Sequence, residues 1–155
     1  MANLAREAAA RGVDPDRLVF APHRPLAEHL GRLQLADLAL DTYPYTSHTT
    51  GSDALWAGVP LVTRIGETFA ARVAASLLGA VGLSDLVVGG WNEYVALAVA
   101  LAADRERLAA VRARLEQRRL DAPLFDTTRF TRDLERLYDL MRDQDRSASR
   151  APIVA

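Results

Sequence analysis

Short apolar runs alternating with single helical stretches are what most restrict the fold of this chain. Leu18-Val19-Phe20-Ala21 closes on Pro22, and Asp37-Leu38-Ala39-Leu40-Asp41 leads into a turn-rich segment. Pro60-Leu61-Val62-Thr63 carries its proline at the first residue, where a missing donor is tolerated, and Leu86-Val87-Val88 is a further brief run. Each has strand length, and a helical pattern rather than a hairpin turn separates it from the next. Helices are expected over 3–11, ended by Gly12, over 26–33, over 50–57, ended by Gly58, and over 67–78. In the last of these Phe69, Val73, Ala74 and Leu77 share a face. Strands joined by single helices need crossover connections, so the expected sheet is parallel, with about four strands.

From Asn92 the pattern is entirely helical, over 92–103, 104–119 and 127–142. Phe130, Leu134, Leu137, Tyr138 and Met141 form an apolar stripe on the last helix, expected to pack on the core. Residues 143–155 lose periodicity and are expected to be a flexible tail after a single domain, 1–142. The expected class is therefore α/β, a parallel sheet with crossover helices and a helical C-terminal extension.

Composition narrows the functional classes. A length of 155 residues, half of them apolar and a quarter charged, suits one globular domain with its own core. The net charge of −1 gives no general attraction for nucleic acid or an anionic membrane. Without cysteine there is neither disulfide nor thiolate metal site. The longest apolar run, Val95 to Ala103, falls well short of the ~20 residues that span a bilayer. No signal-peptide core precedes it, so a cytoplasmic protein is expected. Every basic residue is arginine, and the Ala, Leu and Arg bias points to a GC-rich bacterial genome. No step that needs a lysine ammonium can be served from this chain.

In parallel sheets of this kind ligands sit beyond the C-terminal ends of the strands, which directs attention to the loops after Ala21, Asp41 and Thr63. After Asp41 the chain reads Thr-Tyr-Pro-Tyr-Thr-Ser-His-Thr-Thr-Gly and enters a helix. A helix N-terminus offers unpaired N–H groups and partial positive charge, which suits phosphate. Thr49 and Thr50 add hydroxyls, His48 can donate to an oxyanion, and Gly51 would let a ligand approach the backbone. Asp53, one turn on, could accept both hydroxyls of a ribose. The same Thr50-x-x-Asp53 spacing also matches a capping box, which needs no ligand.

After Ala21, His29 and Arg32 stand three residues apart on one helix face, where imidazole can stack on a base and guanidinium can bond its carbonyls or a phosphate. Each alone is more often an ordinary surface residue than a ligand contact. A zinc site from His23, His29 and His48 matches no metal-binding spacing, and no Gly-x-Ser-x-Gly elbow occurs. Glu67, in the third loop, fits the first turn of a helix on electrostatic grounds alone.

Several stretches together resemble one family. Gln34-Leu35-Ala36-Asp37, Leu40-Asp41-Thr42, the run His48-Thr49-Thr50-Gly51-Ser52-Asp53-Ala54-Leu55-Trp56-Ala57-Gly58-Val59-Pro60, and Gly66-Glu67-Thr68 with Ala71-Arg72-Val73-Ala74-Ala75-Ser76 are similar to the protein O-GlcNAc transferase/SPINDLY family. Asp121-Ala122-Pro123-Leu124-Phe125-Asp126 and Leu134-Glu135-Arg136-Leu137-Tyr138 continue the match, which runs over residues 3–142.

The resemblance implies the C-terminal lobe of a GT-B glycosyltransferase, which binds a nucleotide sugar between two Rossmann-like lobes. It implies in turn that the parallel sheet expected here is a partial Rossmann-like one. It implies that His48, Thr49 and Thr50 hold the diphosphate of UDP and Asp53 the ribose. His29 and Arg32 would contact the uracil, with Arg24 contributing its backbone. Leu26 departs from the pattern, since the best-known members carry there a lysine that contacts the nucleotide. The expected donor is UDP-GlcNAc, although SPINDLY-type members use GDP-fucose, and no metal or further cofactor is expected.

Protein acceptors, recruited through tetratricopeptide repeats and an N-terminal lobe, are the implied partners. Those parts, two strands that open the family's C-terminal lobe and a lysine that steadies the departing phosphate have no counterpart in this sequence. No catalytic residue is therefore assigned, and the isolated chain is expected to be inactive. The alternative is a non-catalytic nucleotide-binding fragment or assembly module that needs a separate N-terminal lobe.

Overall fold

The computed structural model describes residues 1–146. Helix α1 (Ala2–Ala10) is followed by a 3₁₀ turn at Pro15–Arg17, capped where Asp16 N donates to Asp14 Oδ1. Then come α2 (Leu26–Leu33), β1 (Ala39–Leu40), α3 (Thr49–Trp56), β2 (Leu61–Arg64) and α4 (Val73–Ala80). A 3₁₀ turn at Ser84–Leu86 leads into β3 (Val87–Val88), and α5 (Trp91–Ala103), α6 (Arg105–Arg118) and α7 (Thr127–Arg146) complete the chain.

The sheet is parallel in the order β1-β2-β3, with Ala39 opposite Leu61 and Thr63 opposite Val87. The α/β class and the parallel crossover topology are as expected, with one strand fewer among the described residues. Leu18–Ala21 forms no strand, and its Val19 is 89% exposed. A four-residue run keeps strand geometry only when its N–H and C=O groups find a ladder, and no strand among the described residues lies beside this one. Leu40 on β1, an edge strand, is exposed as well.

Helix ends follow local chemistry. Gly58 and Gly82 adopt φ of 80° and 72°, and Val59 N and Leu83 N reach back to Ala54 O and Leu78 O. This is the left-handed closure that only glycine enters without strain, and it turns α3 and α4 into the segments that follow. Asp104 Oδ1 caps α6 through Arg107 N, and Glu93 Oε2 accepts from Gly89 N and Gly90 N to start α5.

Two expectations for helices fail. Residues 67–72 are a turn, so α4 begins at Val73 rather than Glu67, and Phe69 points outward at 81% exposure. The cause is Thr46. Its N–H and hydroxyl both donate to Ala70 O, its Oγ1 accepts from Ala74 N, and Gly66 N takes Ala71 O. Those bonds occupy the carbonyls a helix through this stretch would need.

The stripe on α7 is packed only in part, with Leu134 and Leu137 half-buried. Phe130, Tyr138 and Met141 are exposed, because the core closes with Leu124 and Phe125 before α7 begins. Four residues of the expected tail, 143–146, continue α7, and residues 147–155 lie outside the described part.

The core gathers on β2. Leu55 of α3, Leu61 and Val62 of β2, Ala74 and Leu78 of α4, and Leu101, Val111 and Leu115 of α5 and α6 are buried together. Burial of each such leucine stabilises by about 1.5–3 kcal/mol. This packing holds α3 and β2 rigidly under the loops that carry the polar chemistry.

Candidate functional site

Three buried polar side chains stand out among the described residues: Asp41, Thr46 and Thr63. All three serve the loop that follows β1. Asp41 Oδ1 accepts from Thr42 N at 2.9 Å and Ser47 N at 2.7 Å, and also from the Ser47 hydroxyl. Its Oδ2 accepts from Thr63 Oγ1 of β2 at 2.6 Å. The carbonyl of Asp41 is met by the Tyr94 hydroxyl of α5 at 2.9 Å. Burial raises the pKa of that phenol, and the nearby Asp41 charge adds to the effect.

The loop then delivers His48 to the start of α3. Its ring stacks on Tyr45 with centroids 4.7 Å apart and meets Phe69 edge-on. The Nε2 atom of His48 is buried and has no hydrogen-bond partner among the described residues. Thr49 and Thr50 follow, both exposed, as the first two residues of α3.

No side chain caps α3. The Thr50-x-x-Asp53 capping box is therefore not formed, because His48 takes the N-cap position and Thr50 lies inside the helix. The N–H groups of the first turn have no intrahelical acceptor and lie beside two hydroxyls and an imidazole. Such a mouth can hold an anion of phosphate type.

Gly51 plays a different part from the one expected. It is buried, and a Cβ there would stand 3.0 Å from Ser47 Cβ and 3.1 Å from Leu77 Cδ1. The absent side chain admits the protein's own loop, not a ligand.

Asp53 faces α2. Its Oδ2 is 3.9 Å from His29 Nε2, and His29 Nδ1 is 3.1 Å from Arg32 Nη2. Arg32 Nη1 in turn donates to Pro22 O at 2.7 Å. A polar chain thus runs from α3 through α2 to the segment before it, and both terminal nitrogens of Arg32 are engaged within the protein. Arg24 is not part of that chain: it lies 3.9 Å from Glu28 at the surface. It does share with His29 and Arg32 an open cleft of about 390 Å³, walled by Pro22, Pro25 and Leu26.

At the end of β2, Arg64 lies 4.1 Å over the Tyr43 ring and 5.1 Å over Trp91, and its Nε donates to Gly89 O. Neither this cluster nor the Asp41 hub was singled out from the sequence. The available signal was an Asp closing a strand ahead of a Ser/Thr-rich turn, where short side chains habitually bond the backbone. No group of three or more His, Cys, Asp or Glu among the described residues is arranged to hold a metal ion. No helix among them is long and apolar enough to cross a membrane.

Comparison with known proteins gives a consistent picture. The model of glycosyl transferase family 41 matches residues 1–134. The Arabidopsis thaliana protein named probable UDP-N-acetylglucosamine–peptide N-acetylglucosaminyltransferase SEC is 46% identical over 132 residues, covering 84% of this chain and 14% of its own length. The Caenorhabditis elegans UDP-N-acetylglucosamine–peptide N-acetylglucosaminyltransferase is 44% identical over 131 residues, 84% of this chain and 11% of its own. Among solved structures, a mutant of the Thermobaculum terrenum O-GlcNAc transferase superposes with a TM-score of 0.87 at 37% identity, over 96% of this chain and 29% of that one. The chain thus spans about a seventh or less of the curated relatives' length.

Proposed function

The chain belongs to glycosyl transferase family 41, and on that premise we propose that it is the donor-binding part of a glycosyltransferase acting on proteins. The donor is a UDP-sugar, with UDP-GlcNAc the first choice. The acceptor is a Ser or Thr hydroxyl, whose oxygen gives up its proton to solvent and forms the new bond to C1 of the sugar as the bond from C1 to the diphosphate breaks. UDP leaves with the electron pair.

The uncapped start of α3 beside Asp53 is the observation that carries this reading. First-turn N–H groups, the Thr49 and Thr50 hydroxyls and the His48 ring meet the diphosphate charge. They are fixed before the reaction begins, so the growing charge on the leaving phosphate is stabilised without reorganisation. Asp53 accepts the ribose hydroxyls, and His29, Arg32 and the Arg24 backbone line the base cleft. The mechanism asks for no metal and assigns no catalytic base to this chain. Acceptor proteins engage an N-terminal lobe and tetratricopeptide repeats, and the protein works in the bacterial cytoplasm.

Calorimetric titration with UDP and GDP tests the donor class. Saturable UDP binding, tighter than GDP, is expected; equal affinities or none for UDP would count against it. A second reading rests on the want of any lysine in the sequence: a nucleotide-binding module that transfers nothing until another polypeptide completes it. Radiolabel moved from UDP-GlcNAc onto protein by this chain alone would eliminate that reading.

A further inference from the structure

We infer that Asp41 is a positioning residue of the donor site: its buried carboxylate sets the direction in which His48 and the first turn of α3 face the diphosphate. The inference rests on the donor-site reading above. Asp41 does not reach the mouth itself. Its charge is met by N–H and O–H donors from Thr42, Ser47 and Thr63 rather than by a cation. A buried carboxylate is tolerated only while such donors stay in place, so the segments that supply them lose their freedom.

Ser47 is the residue immediately before His48, the N-cap position of α3. With both its N–H and its hydroxyl fastened to Asp41 Oδ1, the peptide entering His48 is fixed at the point where the chain turns into the helix. Thr46 is fastened on the other side, to Ala70 O and Ala74 N. The loop is therefore held at two adjacent residues against two separate elements, β2 through Thr63 and the turn before α4. An apolar side chain at position 41 could fill the same volume and bury more favourably. What it could not do is dictate the orientation of Ser47, and through it the buried, unpartnered Nε2 of His48.

The test uses the ¹⁵N-labelled 155-residue chain with Asp41→Ala and Asp41→Asn. Asparagine keeps one oxygen for Ser47 and offers an amide to Thr63, so it should restore what alanine loses. In Asp41→Ala the amides of Ser47, His48 and Thr49 and the imidazole nitrogens of His48 are expected to shift, while core amides such as Leu61, Leu78 and Leu115 hold. Affinity for UDP should fall about tenfold or more in Asp41→Ala and stay within about threefold in Asp41→Asn.

Unmoved loop resonances with wild-type affinity in Asp41→Ala overturn the inference. So does equal loss in both variants accompanied by displaced core resonances, which marks a structural role only. Should the wild-type chain not bind UDP, the donor-site reading fails, and the His48 imidazole shift with its restoration by asparagine still decides the role of Asp41. If Asp41→Ala does not fold, Ser47→Ala removes one contact of the same carboxylate. It should weaken UDP about threefold, and unchanged affinity there refutes the inference.

Discussion

His29 Nε2 on α2 faces Asp53 Oδ2 on α3 across 3.9 Å, and this pair ties the cleft of Arg24, His29 and Arg32 to the mouth above the helix. A ribose bridges just such a span between a base and a diphosphate. Replacing Asp53 with alanine should therefore weaken uridine and UDP alike, by about tenfold or more, since hydrogen bonds to a charged acceptor contribute about 1.5–3 kcal/mol. Calorimetry on both ligands reads it, and unchanged affinity for either contradicts the role of Asp53.

Thr49 and Thr50 should behave differently. Their hydroxyls stand at the helix start, which the proposed site gives to the diphosphate and not to the nucleoside. Valine at both positions is expected to weaken UDP by about fivefold to fiftyfold while leaving uridine untouched. A parallel loss for uridine would mean that the loop had been displaced and not merely stripped of two donors.

Gly51 is a matter of packing. An alanine Cβ would press on Ser47, which Asp41 holds in place, and on Leu77 of α4. Gly51→Ala should destabilise the chain by about 1–2 kcal/mol despite the better helix propensity of alanine. Thermal melting measures this, and a raised midpoint would show that the contact yields.

Tyr94 gives the chain an alkaline limit. Its phenol is held above the ordinary value of 10.0 by burial first and Asp41 second. The unfolded chain then releases this proton at lower pH than the folded one. The stabilisation is complete below pH 10 and disappears as pH rises through the elevated folded value. Tyr94→Phe should cost about 0.5–1.5 kcal/mol at neutral pH through the lost bond to Asp41 O, and flatten the alkaline decline. Urea melts on either side of pH 10 compare the two, and an equally steep decline in the variant rules out Tyr94 as its source.

Much of this architecture was legible in the residues because it depends on neighbours in sequence. The 3.6-residue pattern placed α2 at 26–33, and Gly12 and Gly58 marked the ends of α1 and α3. Failures came where a distant partner decides. Thr46 claims Ala70 from 24 residues away and dissolves a helical start that looks sound locally. Leu18–Ala21 has strand composition, but a strand exists only with a ladder. The α7 stripe is genuinely amphipathic, yet periodicity cannot say what covers it. At the site, the helix-start motif was readable as a unit. The Asp41 hub was not, because Ser47, Thr63 and Tyr94 meet it only after β1, β2 and α5 are assembled.

The most direct measurement is a ¹H–¹⁵N titration of the wild-type chain with UDP. If α2 and α3 hold the donor between them, saturable shifts will concentrate at His29, Arg32, Thr49, Thr50 and Asp53 and leave α6 unmoved. Absence of saturable shifts would contradict the donor site. So would shifts gathered instead at the opposite end of α3, in the groove of Gln34, Gly58, Arg112 and Arg119.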